Sequence, residues 1–277
     1  LSLEVFPETV EDQIRFLQEA KFHAPEKIGE GGMGKVYRCY RNEDRSQPFA
    51  VKFVNTGVEE GLLIERLQEV GLESANVINI HRILEFAGGQ AMLVMEYADR
   101  GSLIDLLQDG YKPLSTIKDR TLAVLHDFLA IVRGVERLHE ENFAHRDIKP
   151  ANVLICKNTL KVADFGLSHK ITNLANGGGT QEWWAPEQEQ AYMNHVDGKP
   201  MKQNDLYPLG KMLHLLFAGR LPRKKDQGFD FDKQVPKECL PIIRKCLAHD
   251  PEERYEDAHA LRIAVLAAYP ELKKHIW

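Results

Sequence analysis

The sequence predicts an α+β fold of two lobes, a small β-rich half followed by a larger helical half. Between Ile28 and Tyr97 the apolar residues fall in short runs rich in β-branched and aromatic side chains, the pattern of strands. Beyond Gly101 they recur at three- and four-residue spacing, the period of a helix with one buried face. The boundary falls near Ala98 to Gly101. The expected division is a helical extension over 1–24, a small lobe over 25–97, a large lobe over 98–270 and a tail over 271–277. Clefts between lobes are common ligand sites.

Taken in order, Glu8 to Phe22 reads as a short amphipathic helix with Val10, Ile14 and Leu17 on one face, ended by Pro25. It is expected to serve as a packing extension rather than a functional arm. Strands are expected at Val36 to Cys39, Phe49 to Val54, Ile80 to Phe86 and Met92 to Tyr97, with Gly88-Gly89 turning the last pair. One helical stretch, Val58 to Leu72, interrupts them. In the second half, Leu122, Leu125, Phe128, Val132, Val135 and Leu138 mark the buried face of a long helix. Leu206, Leu209, Leu213 and Leu216 mark another, Ile242, Ile243, Cys246 and Leu247 a third, and Ala258 to Leu266 a fourth.

The 43% hydrophobic and 28% charged residues are ordinary for a globular protein and exclude a disordered or fibrous class. A net charge of -5 gives no support to a nucleic-acid or acidic-membrane partner. Cys39, Cys156, Cys239 and Cys246 form no CxxC pair and no metal-ligand spacing, so they read as reduced, packed thiols. No apolar run is long enough to span a bilayer, and no signal-peptide pattern heads the sequence. The first residue is Leu1 rather than Met, as expected of a piece of a longer protein.

Five motifs carry the chemistry. The first, Ile28-Gly29-Glu30-Gly31-Gly32-Met33-Gly34-Lys35-Val36, is a GxGxxGxV run whose glycines let backbone amides approach phosphate oxygens. Such a triplet arises by chance in roughly one chain in ten of this length, so the run is weak evidence alone. Lying between two expected strands, it does not fit a dinucleotide-binding turn, which needs a strand before and a helix after. The second is Lys52 in Phe49-Ala50-Val51-Lys52, an ammonium in an apolar strand that needs an anionic partner; after a glycine loop, a phosphate is favoured over an exposed edge position.

The third, His145-Arg146-Asp147-Ile148-Lys149-Pro150-Ala151-Asn152, matches HRDxKxxN. Five fixed positions occur by chance in about one chain in ten thousand of this length, so this motif decides the reading. A carboxylate at Asp147 can accept a hydroxyl proton, Lys149 can neutralise charge on a transferring phosphoryl, and Asn152 can offer an amide oxygen to a hard cation. The fourth, Ala163-Asp164-Phe165-Gly166, follows an expected hairpin of Val153 to Cys156 and Leu160 to Ala163, and makes Asp164 a candidate Mg²⁺ ligand. The fifth, Gly179 to Glu187, ends in Trp184-Ala185-Pro186-Glu187; Glu187 would be costly to bury without a cation, and Arg254 is the expected one.

In this order the motifs resemble the eukaryotic-type protein kinase catalytic domain, over about Pro25 to Leu266. The resemblance implies the bilobal protein-kinase fold and transfer of the γ-phosphoryl of ATP to protein substrates, with ATP and Mg²⁺ bound. It implies that Gly29, Gly31 and Gly34 cover the phosphates, and that Ile28, Val36, Ala50 and Leu154 sandwich the adenine. It also implies that Met95 is the gatekeeper and that the backbone of Glu96 and Ala98 reads the adenine edge. Lys52 would hold the α- and β-phosphates, Asp147 would be the base, and Asn152 with Asp164 would hold Mg²⁺. Asp205 resembles the helix aspartate that braces the catalytic loop. Lys149 is similar to the Ser/Thr-directed branch, in which Thr180 would meet Asp147 and Lys149. The Gly-Gly-Met-Gly loop and Ala-Pro-Glu-Gln ending are similar to bacterial members. The implied location is cytoplasmic, or host cytosol for a bacterial effector. A pseudokinase scaffold and a small-molecule phosphotransferase are the competing readings.

The sequence also departs from the pattern. Glu60, Glu65 and Glu69 all compete to pair with Lys52; counting back from Asn76-Val77-Ile78 favours Glu65. The activation segment offers only Ser168, Thr172 and Thr180 as phosphoacceptors, which implies activity without phosphorylation there. Arg220 to Pro236 is too short for the usual docking helix and reads as a solvated turn or a basic patch. Pro208 is expected near a helix start.

Overall fold

The computed structural model describes residues 5–31, 34–41, 45–55, 75–86, 90–164, 169–170, 181–195, 201–226 and 228–275. The chain divides into two compact units, Leu1–Glu73 with Ile78–Asp99, and Ser74–Val77 with Arg100–Trp277. Among the described residues no helix is long and apolar enough to cross a membrane.

The first unit opens with helix α1, Val10–Glu19. Thr9 caps it by accepting the Asp12 N–H at 3.1 Å, and Glu11 and Asp12 place negative charge where the helix dipole favours it. Strands follow at β1 (Phe22–Gly31), β2 (Gly34–Arg41), β3 (Pro48–Asn55), β4 (Ile80–Phe86) and β5 (Gln90–Glu96). They form one antiparallel sheet in the order β1-β2-β3-β5-β4.

Strand alternation divides the apolar residues between two faces. Tyr37, Cys39, Val51, Phe53, Phe86, Met92 and Val94 pack with Phe16 and Leu17 of α1 on one face. Val54, Ala91 and Leu93 pack with Ile80, Ile83 and Met95 in a separate cluster. The sequence predicts a helix over Glu8 to Phe22, ended by Pro25, but the helix runs over Val10–Glu19 and β1 begins at Phe22. Lys21 and Ala24 turn the chain at positive φ, and a register shift between His23 and Glu26 admits Pro25 into a strand that would otherwise need its N–H.

In the second unit, α2 (Leu103–Gln108) leads to the long α3 (Arg120–Glu140). Asp119 caps α3 by accepting the Leu122 N–H at 2.9 Å. Next come β6 (Phe143–Ala144), a 3-10 turn over Pro150–Asn152, the hairpin β7 (Val153–Cys156) and β8 (Thr159–Val162), and β9 (His169–Lys170) paired with β6. Helices α4 (Pro186–Met193), α5 (Lys202–Ala218), α6 (Cys239–Cys246) and α7 (Ala258–Ala268) complete the unit, with the small hairpin β10 (Arg223–Lys225) and β11 (Gly228–Asp230) between α5 and α6.

The apolar stripes of α3 and α5 form the core. Leu125, Phe128, Val132, Val135, Leu138, Leu206, Leu209, Leu213 and Leu216 are all buried. Residues 76–77 thread onto this core. Asn76 accepts the Val162 N–H at 2.9 Å and donates its side-chain amide to Leu160 O at 3.0 Å. A Cβ on Gly134 of α3 would lie 2.4 Å from the Asn76 carbonyl, so only glycine admits that close approach.

Pro208 lies inside α5 rather than near its start, because the helix already begins at Lys202. The helix therefore forgoes the bond that residue 208 would donate to the Asn204 carbonyl. All four cysteines are free and buried. Desolvation pushes the thiols of Cys39 and Cys246 up to about 12 and that of Cys239 up to about 11, which keeps them protonated and unreactive.

Candidate active site

In the first unit the cross-strand register collects the predicted residues. Gly29 pairs with Val36, Val36 with Lys52, and Lys52 with Leu93, so the four form one row across β1, β2, β3 and β5. Directly opposed residues point to the same face of a sheet. Ala50 stands two residues before Lys52 on that face and pairs with Met95. Lys52 is buried, Val36 is half-buried and Ile28 is exposed.

Gly31 pairs with Gly34 and closes the β1–β2 hairpin. Gly34 has φ +135°, and a Cβ there would fall 1.8 Å from the Phe53 carbonyl oxygen. Gly29 is different, since its Cβ would meet only Val36 at 3.9 Å. The Glu96 N–H donates to Asn79 O at 2.9 Å, and its carboxylate accepts the Asn79 N–H at 2.7 Å. The Ala98 N–H makes no hydrogen bond among the described residues. The Gly32-Met33 tip and the Val58 to Leu72 stretch with Glu60, Glu65 and Glu69 lie outside the described residues.

In the second unit the HRDxKxxN residues form one constellation, with Asp147 and Asn152 buried and Lys149 half-buried. The Lys149 ammonium lies 2.6 Å from Asp147 Oδ2, and Asn152 Nδ2 donates to the same oxygen at 2.9 Å and to the Asp147 carbonyl at 2.8 Å. Asp147 is 4% exposed, so these donors replace the water that a carboxylate would otherwise hold. With both amide hydrogens turned to Asp147, Asn152 keeps Oδ1 as its coordinating atom.

Asp164 follows Ala163, whose N–H donates to Asn152 O at 2.9 Å, so the two candidate metal ligands are joined through one backbone bond. Asp164 and Arg146 both adopt left-handed backbone conformations, with φ 66° and 68°. A carboxylate and an amide oxygen are hard donors that fit Mg²⁺. Leu154, on β7, is half-buried and bridges Ser102. Phe165 to Ser168, Thr172 and Thr180 lie outside the described residues.

The support beneath this loop was only partly legible in the sequence. Asp205, as expected, braces it. Its Oδ2 accepts the His145 N–H at 2.7 Å, and its Oδ1 accepts the Arg146 N–H at 2.7 Å. Three further residues join the support. His139 of α3 accepts the Ala258 N–H on Nδ1 at 3.1 Å, so Nε2 carries the hydrogen and donates to Asp205 Oδ2 at 2.9 Å. His145 accepts the Asp147 N–H on Nδ1 at 3.3 Å and donates from Nε2 to Ala163 O at 3.0 Å, which links the loop to the residue before Asp164. Gln188 of α4 donates to Arg146 O at 3.2 Å and accepts the Ala185 N–H at 3.1 Å. A histidine in the apolar stripe beside Leu138 was the one available signal for His139. Gln188 had none.

The expected pair of Glu187 and Arg254 is present and bidentate, at 2.7 Å on each arm. Arg254 also donates to the carbonyls of Ala248 and Gln203, at 3.0 and 2.9 Å, so a buried cation has both a counter-ion and filled donor positions. The segment after α5 forms the β10–β11 hairpin, whose Lys225 ammonium lies 3.4 Å from Asp230 while Arg223 and Lys224 stand exposed.

A second basic residue was not anticipated. Lys211 on α5 is 9% exposed, donates to Glu182 O at 2.7 Å and sits 4.6 Å over the Tyr207 ring. Desolvation, opposed by the charge of Glu182 and aided by that of Lys224, lowers its pKa to about 8.

Comparison with known proteins identifies the family. The family model described as protein kinase domain matches residues 22–266. The chain is 29% identical to the Serine/threonine-protein kinase GIN4 of Saccharomyces cerevisiae, over 90% of this chain and 24% of that protein. It is also 29% identical to the Probable serine/threonine-protein kinase SCO3848 of Streptomyces coelicolor, over 87% of this chain and 38% of that protein. The chain thus spans between about a quarter and two-fifths of the length of these relatives. Among solved structures, the Cydia pomonella granulovirus kinase PK-1 superposes with a TM-score of 0.68 at 20% identity, covering 91% of this chain and 97% of that one, which shows the shared fold. By the family match over most of its length, the chain belongs to the protein kinase domain family.

Proposed function

We propose that this chain transfers the γ-phosphoryl group of ATP to serine or threonine hydroxyls of protein substrates. The observation that carries the reading is the buried Asp147 carboxylate held between the Lys149 ammonium and the Asn152 amide. In the proposed step the acceptor hydroxyl oxygen attacks the γ-phosphorus. The bond from that phosphorus to the oxygen bridging it to ADP breaks, and the hydroxyl proton passes to Asp147. Asp147 orients the hydroxyl, and Lys149 offsets the negative charge on the phosphoryl oxygens. Asn152 Oδ1 and the Asp164 carboxylate would hold Mg²⁺, which when bound neutralises phosphate charge. Lys52 would hold the α- and β-phosphates, with Ile28, Val36, Ala50 and Leu154 against the base and Ala98 offering an N–H to its edge.

Glu65 is the proposed partner of Lys52. Lys149, at a position that resembles the Ser/Thr branch, and the Ser/Thr kinase names of the similar proteins support the choice of hydroxyl. The Trp184-Ala185-Pro186-Glu187 segment held by Arg254, which resembles the protein-substrate platform of the family, supports a polypeptide acceptor over a small molecule.

The test is transfer of label from γ-labelled ATP with Mg²⁺ to a generic basic protein, read beside Asp147→Asn and Lys52→Met. Labelled phosphoserine or phosphothreonine from the wild type alone supports the reading. Nucleotide binding with no transfer by the wild type would leave the scaffold reading in its place.

A further inference from the structure

The family match begins at Phe22, so α1 and the residues before it lie outside the matched region. They are nonetheless built into the sheet that carries Lys52 and the glycine run. Phe6 meets Phe53 and Phe86 edge-on, with centroids 5.9 and 5.3 Å away, and Phe16 meets the same two rings at 6.2 and 5.4 Å. This packing alone would make the segment a cover for an apolar face.

The polar contacts are more selective. Gln13 is 3% exposed. Its Nε2 donates to Pro7 O at 2.9 Å and its Oε1 accepts the Tyr37 hydroxyl at 2.7 Å. Tyr37 is fully buried and lies edge-on to Phe53 at 5.9 Å. Its immediate neighbour on β2 is Val36, whose side chain points to the other face, in the row with Gly29 and Lys52. On the far side of Val36, the Lys35 ammonium donates to Glu8 O at 3.1 Å. Both chain neighbours of Val36 are therefore tied to the N-terminal segment, one of them by a buried bond.

We propose that residues 5–20 act as a brace that sets the position of the β2 strand for nucleotide binding, with Gln13 and Tyr37 as the positioning pair. The inference rests on the kinase reading above. Strand β2 carries Gly34 and Val36, and a strand held from behind presents a fixed surface to the nucleotide. Loss of the brace widens the range of positions of that strand and weakens ATP binding before it affects the transfer chemistry of Asp147.

The chain of residues 1–277 and two variants test this. Tyr37→Phe removes the hydroxyl but keeps the ring on Phe53, and leaves a buried Gln13 oxygen without its donor. The double variant Gln13→Leu with Tyr37→Phe removes the Gln13–Tyr37 pair but leaves the Pro7 carbonyl without its donor, so its folded fraction is the control. The KM for ATP, kcat and the folded fraction are measured for each.

The expected result is a KM for ATP raised about fivefold in both variants, with kcat and the KM for the protein substrate within about twofold of wild type. That split is one a purely structural helix would not produce. A KM for ATP unchanged in both variants, or activity that falls only in step with the folded fraction, overturns the brace. A wild type that binds ATP but transfers nothing overturns the kinase reading instead. The brace then stands or falls on the Kd for ATP measured on the same variants.

Discussion

At the scale of single residues, the site depends on polar groups buried only where partners meet them. Asp147, Asn152, His139, His145 and Asp205 are almost wholly removed from water, and each makes a hydrogen bond inside the second unit. Lys211 meets neutral partners only. Its ammonium is buried against one carbonyl and one ring, and among the described residues no carboxylate lies within ion-pair distance. The consequence is a pH dependence with a definite sign. The folded-state pKa of about 8 lies below the ordinary 10.5, so between those values the unfolded chain binds more protons than the native one. The burial penalty is fully present below pH 8 and is relieved as pH rises toward 10.5. Denaturant titrations of wild type and Lys211→Met should therefore show the wild type gaining about 2 kcal/mol relative to the variant between about pH 7.5 and 9.5. A difference that stays flat over this range would mean that Lys211 is solvated.

At the scale of elements, the strands and helices show how far sequence pattern reaches. Strand β4 and the first strand of the β7–β8 hairpin have the bounds that their β-branched runs predict, and the α3 and α5 stripes, except for the half-buried Leu122, are buried where the helical period places them. Period is a property of a face, and a face is written in the sequence. The end of α1 was misplaced because its limit is set by the left-handed turn at Lys21 and by β1 pairing with β2, a contact distant in sequence. Pro208 misled for a related reason. Tertiary burial of α5 outweighs the loss of one backbone bond, and a local rule cannot weigh that.

The glycine run separates two roles that its regular spelling hides. Gly34→Ala should cost more than about 2 kcal/mol in a denaturant titration, because its backbone is left-handed and its Cβ would strike the Phe53 carbonyl. Gly29→Ala, with room for a Cβ, should stay within about 1 kcal/mol of wild type. Equal losses at the two positions would show that Gly34 does not lie against the Phe53 carbonyl of β3.

At the scale of the whole molecule, the chemistry is divided between two compact units. The first carries Lys52, Val36 and the glycine run, and the second carries Asp147, Asn152 and Asp164. Each motif names a residue type that phosphate, metal or hydroxyl chemistry requires. What they could not name is the support. His139 reaches Asp205 from α3 and ties it to the start of α7, and Gln188 reaches the Arg146 carbonyl from α4. These contacts join positions far apart in the chain, and neither side chain does chemistry of its own.

The pair of Arg254 and Glu187 belongs to the same scale, because it locks the start of α4 to the loop before α7. Arg254→Ala leaves a carboxylate without its counter-ion and should cost about 3–5 kcal/mol in thermal or denaturant unfolding. A loss below about 1 kcal/mol would place the pair in solvent. The central claim is that Asp147 serves the transfer step and not nucleotide binding. Its most direct test is a single-turnover measurement with enzyme in excess over γ-labelled ATP, a serine peptide as acceptor, and ATP affinity determined on the same samples. The account predicts that Asp147→Asn slows transfer by at least about a hundredfold, as expected for loss of a general base, while the Kd for ATP with Mg²⁺ stays within about threefold of wild type. Transfer at the wild-type rate by Asp147→Asn would contradict it.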